Sequence, residues 1–197
     1  MTIKVVPLTG AAVGGVLADL ARLRITVFRD WPYLYDGTDD YERAYLANFA
    51  ASEGAVVVVA RDGPAIVGAA TAAPMRAGHA EELVQPLAAS GHDISRIFYL
   101  GESVLLKGYR GRGLGHAFFE QREAHALSLG GFTDAVFCGV VRSDTDARKP
   151  TGYVPLDAFW RKRGYAPLPN LTGSLSWLDI GETSETAKPM RYWMKAL

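Results

Sequence analysis

Residues 97–116, which read IFYLGESVLLKGYRGRGLGH, decide the fold of this chain. The first half, 97–106, is apolar on both alternating faces apart from Glu102, as expected of a strand that is buried on both sides. A turn rich in glycine and arginine follows at 109–116. The segment therefore predicts a central strand that leads directly into a turn with unusual backbone freedom.

The residues after the turn predict a helix over 114–129. Its apolar residues recur at helical spacing, whereas Glu120 and Glu123 point elsewhere; the apolar face comprises Leu114, Ala117, Phe118, His125 and Leu129. Gly130 and Gly131 supply its end. A helix start offers unpaired N–H groups and the positive end of the helix dipole, and glycines let such groups approach an anion. The turn therefore predicts a phosphate site.

The spacing of the glycines narrows the kind of phosphate ligand. Glycines at 111, 113 and 115 do not form the dinucleotide pattern G-x-G-x-x-G, and no Gly-Lys-Ser/Thr follows, as a P-loop requires. The turn does match R-x-x-G-x-G, read as Arg110, Gly113 and Gly115. That pattern resembles the acetyl-coenzyme A (acetyl-CoA) pyrophosphate loop of the GCN5-related N-acetyltransferases (GNAT).

Composition excludes several classes of protein. The chain has 197 residues, is 49% hydrophobic and balances 21 basic against 21 acidic residues, so no charge surplus points to nucleic acid or a membrane surface. One cysteine, Cys138, rules out an internal disulfide framework. Neither a signal peptide nor an apolar run long enough to span a bilayer is apparent. We expect one domain over residues 1–197 and a cytoplasmic location.

Hydrophobic periodicity and turn residues predict the other elements. Strands are predicted at 3–8, 55–60, 65–73, 134–141, 172–180 and 188–195. Helices are predicted at 11–29, 41–52, 80–89 and 155–163, the second with Asp39 or Asp40 as its N-cap. This order indicates a mixed α/β (α+β) fold with a largely antiparallel central sheet flanked by helices.

That order of elements resembles the GNAT fold, and residues 159–165 (FWRKRGY) are similar to the family's late helix-and-turn signature. The resemblance is strong over 97–166 and weaker over 1–75. It implies an acyl-CoA N-acyltransferase fold and an N-acetyltransferase that passes an acetyl group from acetyl-CoA to a primary amine in a ternary complex. The sequence contains no metal-ligand spacing, so we expect no metal. The acceptor would be a small molecule or a peptide.

The resemblance also implies cofactor contacts. The backbone of Val104, Leu105 and Leu106 would bind the pantetheine arm as an added strand does, and the Leu105 N–H would polarise the thioester carbonyl. The pyrophosphate would lie against the loop formed by Arg110, Gly111, Arg112, Gly113, Leu114, Gly115 and His116. The alternative for His116 is an exposed side chain without a role.

Glu102 is the candidate general base. A carboxylate within an apolar strand is costly unless it is paired or functional, and burial makes it a stronger base. The alternative is a structural role, in a buried ion pair or a hydrogen bond to a neighbouring loop. Strand phase places Glu102 on the face of Val104 and Leu106, opposite Leu105, and does not settle whether it faces the acceptor.

The late helix departs from the family pattern, because Trp160 stands where a tyrosine often protonates the leaving thiolate. An indole N–H is no proton donor at neutral pH. Tyr153 is the candidate substitute, and the alternative is a thiolate that leaves unprotonated. The departure also favours a second hypothesis, a non-catalytic acyl-CoA sensor of the same fold. A third hypothesis is a phosphate-ligand domain unrelated to coenzyme A, which would prefer nucleotides.

The loop at 30–45 is both acidic and aromatic and falls where the family places acceptor-binding elements. Tyr33, Tyr35 and Tyr41 are the candidate acceptor contacts, through cation–π attraction to an amine. The alternative is a loop with solvated charges and packed aromatic side chains. We expect His125 to be a packed, hydrogen-bonded side chain and Cys138 to be core. The aromatic pattern of the last strand, taken as an exposed edge, is compatible with a homodimer.

Overall fold

The computed structural model describes residues 3–77 and 81–197, and in these ranges seven strands form one sheet. They are β1 (Lys4–Thr9), β2 (Val56–Asp62), β3 (Ala65–Pro74), β4 (Ile97–Leu105), β5 (Asp134–Val140), β6 (Ala166–Trp177) and β7 (Thr186–Ala196). Their order across the sheet is β1-β2-β3-β4-β5-β7-β6. All neighbours are antiparallel except β4 and β5, which are parallel. The predicted fold class is confirmed.

Six α-helices lie in the same described ranges: α1 (Ala11–Gly14), α2 (Leu17–Phe28), α3 (Asp39–Ala50), α4 (Glu81–Ala89), α5 (Leu114–Leu129) and α6 (Asp157–Lys162). The prediction of one helix over 11–29 was wrong, because the chain breaks at Gly15 and Val16 between α1 and α2. The N-cap of α3 was also misplaced: Thr38, not Asp39 or Asp40, accepts from the Tyr41 amide. None of these helices combines the length and apolarity needed to cross a bilayer.

The helices cover the sheet on two faces. On the first, α5 and α6 pack on Phe98, Leu100 and Phe137. On the second, α2 and α3 pack on Val57, Val59 and Val104, and α4 packs on Tyr99 and Cys138. We call these the α5 face and the α2 face.

Strand β4 changes its phase in the middle. Leu100 pairs with Ala72, but Ser103 pairs with Ala70, so Gly101 and Glu102 together oppose Thr71 in a β-bulge. Before the bulge, the even-numbered Phe98 and Leu100 face α5. After it, Val104 lies in the core beneath α2 instead. Glu102 consequently shares the α2 face with Val104, as its strand phase predicted.

Strands β4 and β5 separate after a short contact. Their register runs from the pair Ile97 and Asp134 to the pair Tyr99 and Val136 and ends there. Strand β5 continues beside β7 as far as Val140, while β4 continues beside β3. A gap therefore opens between the second halves of β4 and β5, and backbone groups of both strands border it.

Two side-chain expectations were wrong. Strand β7 lies between β5 and β6 and is not an edge, so Tyr192 and Trp193 are fully buried and give no support to a dimer. On α5, Glu123 is buried, whereas Leu129 is exposed. Glu123 is held by Arg163, Lys195 and the Tyr165 hydroxyl, which satisfy the charge inside the fold.

Candidate active site

The glycine-rich loop has a backbone that only glycine adopts freely. Gly111 and Gly113 have φ angles of 75° and 80°, and Gly113 is the N-cap of α5 without a side-chain capping bond. Nothing lies within 4 Å of where a Cβ would stand on either glycine. The first N–H groups of α5 are thus left for a ligand, and the loop fits the pyrophosphate of acetyl-CoA.

The arginines of the loop are ordered by the loop itself. Arg112 donates to the Gly108 carbonyl at 2.8 Å and lies over the Tyr109 ring, and Arg110 donates to the Leu105 carbonyl at 3.2 Å. A cavity of about 320 Å³ adjoins them, lined by Thr26, Val27, Asp30, Leu106, Lys107 and Arg110. His116 is exposed, and its ring centroid lies 4.9 Å from that of Phe159.

The three residues predicted to bind pantetheine differ in what their backbone offers. The Leu106 N–H donates to the Val67 carbonyl at 3.1 Å, and the Leu106 carbonyl accepts from Tyr109. Since successive N–H groups of a strand point to opposite sides, the Leu105 N–H points away from β3, toward the gap. Both backbone groups of Leu106 are therefore already hydrogen-bonded within the protein. Of these two residues, Leu105 is the one whose N–H faces the gap.

Glu102 is buried on the α2 face beside a guanidinium. Arg24 Nη1 lies 2.8 Å from Glu102 Oε1, in an ion pair that is not aligned as a hydrogen bond. The Nε of Arg24 binds Glu42, which is fully buried, and the guanidinium lies 4.5 Å from the Tyr45 ring centroid. Burial acts to lower the pKa of Arg24, but the charge of Glu102 and the groups of Tyr45 and Glu42 outweigh it and raise that pKa. One buried cation is therefore shared by two carboxylates.

The bulge that turns Glu102 toward α2 is fixed from both sides. The Glu102 N–H donates to Thr71 Oγ1 at 3.2 Å, and a Cβ on Gly101 would lie 2.5 Å from that same oxygen. From α5, the buried Arg122 donates to the carbonyls of Thr71 and Glu102 and to Ser103 Oγ. Burial lowers the pKa of Arg122 to about 10, which still leaves it charged at neutral pH. Glycine, threonine and arginine together orient Glu102.

Aromatic residues surround this carboxylate. The Tyr33 ring packs on Phe28 and Trp177, with centroids 4.5 and 5.8 Å away. Burial chiefly raises the pKa of the Tyr33 phenol, with further contributions from nearby Cys138 and Glu102. Burial also raises the pKa of Tyr99 and of the Cys138 thiol, so these groups stay protonated. Tyr33 is thus a buried aromatic neighbour of Glu102.

The other two predicted acceptor tyrosines lie apart from Glu102. Tyr35 and Tyr41 line a second cavity of about 280 Å³ with Asp36, Gly37, Thr38, Leu178, Thr183, Ser184 and Glu185. Tyr41 is 52% exposed. Burial and the neighbouring Glu42 carboxylate raise the pKa of Tyr35. The structure therefore brings only Tyr33 of the three close to the candidate base.

Tyr153 packs beside Trp31, and their ring centroids are 6.1 Å apart. Burial raises the pKa of its phenol, and Asp157 raises it further, so it holds a proton at neutral pH. Trp160 instead belongs to the core of the α5 face, in contact with Phe137 and Trp193. A Cβ on Gly139 would lie 3.1 Å from the Trp160 ring, which shows how tightly that ring fills its place.

Two further expectations concern side chains outside the gap. His125 Nε2 lies 3.0 Å from the Gly54 carbonyl and its ring packs on Phe98, which confirms a packed, hydrogen-bonded side chain. Cys138 is buried, as predicted. His79, for which the sequence suggests no role, lies outside the described residues. Among residues 3–77 and 81–197, no group of three histidine, cysteine or acidic side chains is arranged to hold a metal.

The sequence did not single out the charged residues that surround Glu102 and the acceptor loop. Arg24, Arg122, Arg142 and Asp179 are all nearly buried. The available signal was position: Arg24 follows Leu20 and Leu23 on an otherwise apolar helix face, and Arg122 follows Phe118 and Phe119. A long cation on a buried stripe must have acidic or carbonyl partners, but the sequence does not say which.

Comparisons with known proteins agree with this geometry. The sequence profile of the acetyltransferase (GNAT) family matches residues 20–165. No curated protein sequence shows a significant match to the chain. Many solved structures share the fold, and the three given below do so at low identity, which indicates similarity of architecture.

A protein of Acinetobacter baylyi ADP1 is 14% identical, with a TM-score of 0.65 over 100% of this chain and 92% of that chain. The yncA protein of Salmonella typhimurium, solved with its cofactor acetyl-CoA, is 11% identical, with a TM-score of 0.62 over 100% and 95% of the chains. Arabidopsis thaliana NAA60, solved with a bisubstrate analogue, is 12% identical, with a TM-score of 0.61 over 100% and 99%. The family profile spans most of the chain, and the chain therefore belongs to the GNAT acetyltransferase family.

Proposed function

We propose that the protein is an N-acetyltransferase that transfers the acetyl group of acetyl-CoA to a primary amine in a ternary complex. One observation carries the proposal. The gap between β4 and β5 has the uncapped glycine loop at its cofactor end and the buried Glu102 on its α2 face. Both reactants then meet in one enclosed place, and such placement supplies much of the rate enhancement.

The cofactor end holds acetyl-CoA mainly through the backbone. The N–H groups from Gly111 to His116 bind the pyrophosphate, with Arg110 and Arg112 beside them. The Leu105 N–H donates to the thioester oxygen, where negative charge develops during attack. In yncA of Salmonella typhimurium the same fold holds acetyl-CoA, which supports this assignment.

The acceptor end supplies the proton transfers. An amine must be neutral to attack, and Glu102 accepts its proton directly or through a water molecule. The nitrogen then forms a bond to the carbonyl carbon and the carbon–sulfur bond breaks. Tyr153 gives its proton to the departing thiolate, or the thiolate leaves as an anion, since a thiol with a pKa near 8.5 is a fair leaving group.

Trp160 was the feature that favoured a non-catalytic sensor. Its ring packs against Phe137 and Trp193 on the α5 face. A tryptophan at this position is therefore explained by core packing and is no argument against catalysis. No observation in the site favours nucleotides over acetyl-CoA, and the acetyltransferase remains the function with most support.

Release of coenzyme A thiol, measured with a panel of primary amines, tests the proposal, and mass spectrometry places the acetyl group on the amine nitrogen. Glu102→Gln keeps the size of the side chain and removes the base. We expect turnover to fall by about 10²–10⁴-fold, with acetyl-CoA affinity unchanged. Glu120→Gln, the same change on the exposed side of α5, is the matched control. Full turnover by Glu102→Gln across pH would remove Glu102 from the mechanism.

A further inference from the structure

The loop that carries Tyr33 is joined to the far side of the sheet by backbone hydrogen bonds. We call residues 30–38 the acceptor loop and residues 178–185, which connect β6 to β7, the hairpin loop. The Asp36 N–H donates to the Leu178 carbonyl at 2.8 Å, and the Ile180 N–H donates to the Leu34 carbonyl at 2.7 Å. These bonds join the two loops directly to each other, and we call the joined loops the roof.

A buried ion pair reinforces this junction. Arg142, which follows β5, donates to both oxygens of Asp179 at 2.8 and 2.9 Å. The same guanidinium donates to the carbonyls of Pro32 and Tyr33 at 2.8 and 2.7 Å. Asp179 is 1% exposed. Burial opposes its ionisation, but hydrogen bonds and charge from Arg142 outweigh burial and lower the pKa of Asp179.

Additional contacts fix the position of Tyr33 within the roof. Trp177 Nε1 donates to the Tyr33 carbonyl at 3.0 Å, and the two rings pack together. Arg148 and Lys188 also approach Asp179, at 3.2 and 3.5 Å. The acceptor loop therefore has a defined position, with Tyr33 near Glu102 and Cys138.

The roof limits what can reach Glu102. An extended polypeptide that placed its amine at Glu102 would have to leave between the acceptor loop and the hairpin loop. A strand needs about 4.8 Å on each side to insert between two others, and here the two loops are already hydrogen-bonded to each other. The charge beneath the roof, two carboxylates against Arg24, suits a cationic head group.

We infer that the acceptor is a compact amine, a small cationic molecule rather than a polypeptide, and that Asp179 and Arg142 exclude larger acceptors by holding the roof closed. This inference rests on the proposed acetyltransferase function. It assigns a specificity-determining role to a salt bridge that lies outside the catalytic groups.

Paired acceptors test the inference. Thiol release from acetyl-CoA is measured with alanine amide, phenethylamine and butylamine, and with short peptides that present an N-terminal alanine or a lysine. We expect kcat/KM for at least one compact amine to exceed that for every peptide by at least about tenfold. A peptide acetylated as fast as the best compact amine would overturn the inference.

Variants connect that preference to the roof. In Asp179→Asn we expect the ratio between compact amines and peptides to shrink, because the roof loosens. Asp144→Asn, which removes an exposed ion pair with Lys149 in the neighbouring segment, should leave the ratio unchanged. If Asp179→Asn does not fold, Trp177→Phe is the second variant. It removes one hydrogen bond to the Tyr33 carbonyl and keeps an aromatic ring at position 177. An unchanged ratio in a folded roof variant would contradict the role of the salt bridge.

Amide hydrogen exchange separates failure of this inference from failure of the proposed function. The Asp36 and Ile180 amides donate the bonds that join the loops, so they should exchange slowly in the wild-type protein and faster in Asp179→Asn. Fast exchange of both amides in the wild-type protein would overturn the closed roof, whether or not any amine is acetylated. Slow exchange without turnover of any amine would refute the acetyltransferase and leave the roof standing.

Discussion

The two ends of the gap are built differently. The cofactor end is contiguous in sequence, exposed and made largely of backbone: a glycine loop, a helix start and the edge of β4. The acceptor end is assembled from α2, α3, β4 and α5 and from the loops beside them, and it depends on buried charges that must be paired. The difference shows that a phosphate site needs little beyond a local motif, whereas a base on a buried strand needs an entire surrounding structure.

The largest difference between the two ends should be in how much an arginine substitution lowers the free energy of unfolding. Arg24→Met leaves two buried carboxylates without their cation, and we expect it to lower the free energy of unfolding by about 3–5 kcal/mol. Arg110→Met, the same replacement at the exposed cofactor end, should change it by less than about 0.5 kcal/mol. Urea unfolding of both variants makes the comparison. Equal stabilities would show that Arg24 is not needed to balance the carboxylates.

The bulge of β4 gives the next largest effect. Thr71→Val keeps the shape of the side chain but leaves the Glu102 N–H without its acceptor, at a cost of about 1–3 kcal/mol. We expect kcat to fall about tenfold or more as Glu102 is displaced, with acetyl-CoA affinity unchanged.

Two controls make the Thr71 result specific. Thr71→Ser retains the hydroxyl and should restore kcat. Thr133→Val removes a hydroxyl that donates to the Asp134 carboxylate at the start of β5, and it should leave kcat unchanged. A Thr71→Val protein with wild-type kcat would mean that the bulge does not position Glu102.

Tyr153→Phe should have the smallest effect, because a thiolate can leave without a proton. We expect kcat at pH 7 to fall no more than about tenfold. The pKa of this phenol is raised, so it keeps its proton through neutral pH and the wild-type profile should show no loss from Tyr153 until above its usual pKa of about 10. A fall in kcat below pH 9 that disappears in Tyr153→Phe would show that the phenol titrates in a lower range.

The contrast between the ends also explains which features the sequence could predict. The strand, turn and helix at 97–129 are local, and their glycines and periodicity are visible in one stretch. The phase of Glu102 relative to Val104 was predictable because the bulge shifts the phase between Leu100 and Glu102 and leaves the alternation from Glu102 to Val104 regular. The pairing of β4 and β5, by contrast, ends through sheet geometry that no local pattern records.

The sequence alone could not predict the ion pairs between residues that are distant in the chain. Glu42 lies 18 residues from Arg24 in sequence, and Asp179 lies 37 from Arg142. An isolated arginine or aspartate predicts that a partner exists, not where it is. Likewise, Trp193 looked like an edge residue because its strand alternates, and only the strand order shows that β7 is internal. Tyr35 and Tyr41 follow Tyr33 closely in sequence, but they line a separate cavity and lie apart from Glu102.

The most direct test of the central claim is a calorimetric titration with acetyl-CoA of the wild-type protein, Gly113→Val and Gly91→Val. Both glycines have positive φ angles, 80° and 90°, with open space around them, so the two substitutions impose comparable strain. We predict micromolar binding by the wild-type protein and Gly91→Val, and a loss of about a hundredfold or more in Gly113→Val, where a side chain stands at the phosphate site. Equal binding by all three proteins, or no binding by the wild-type protein at millimolar ligand, would contradict the assignment of the glycine loop.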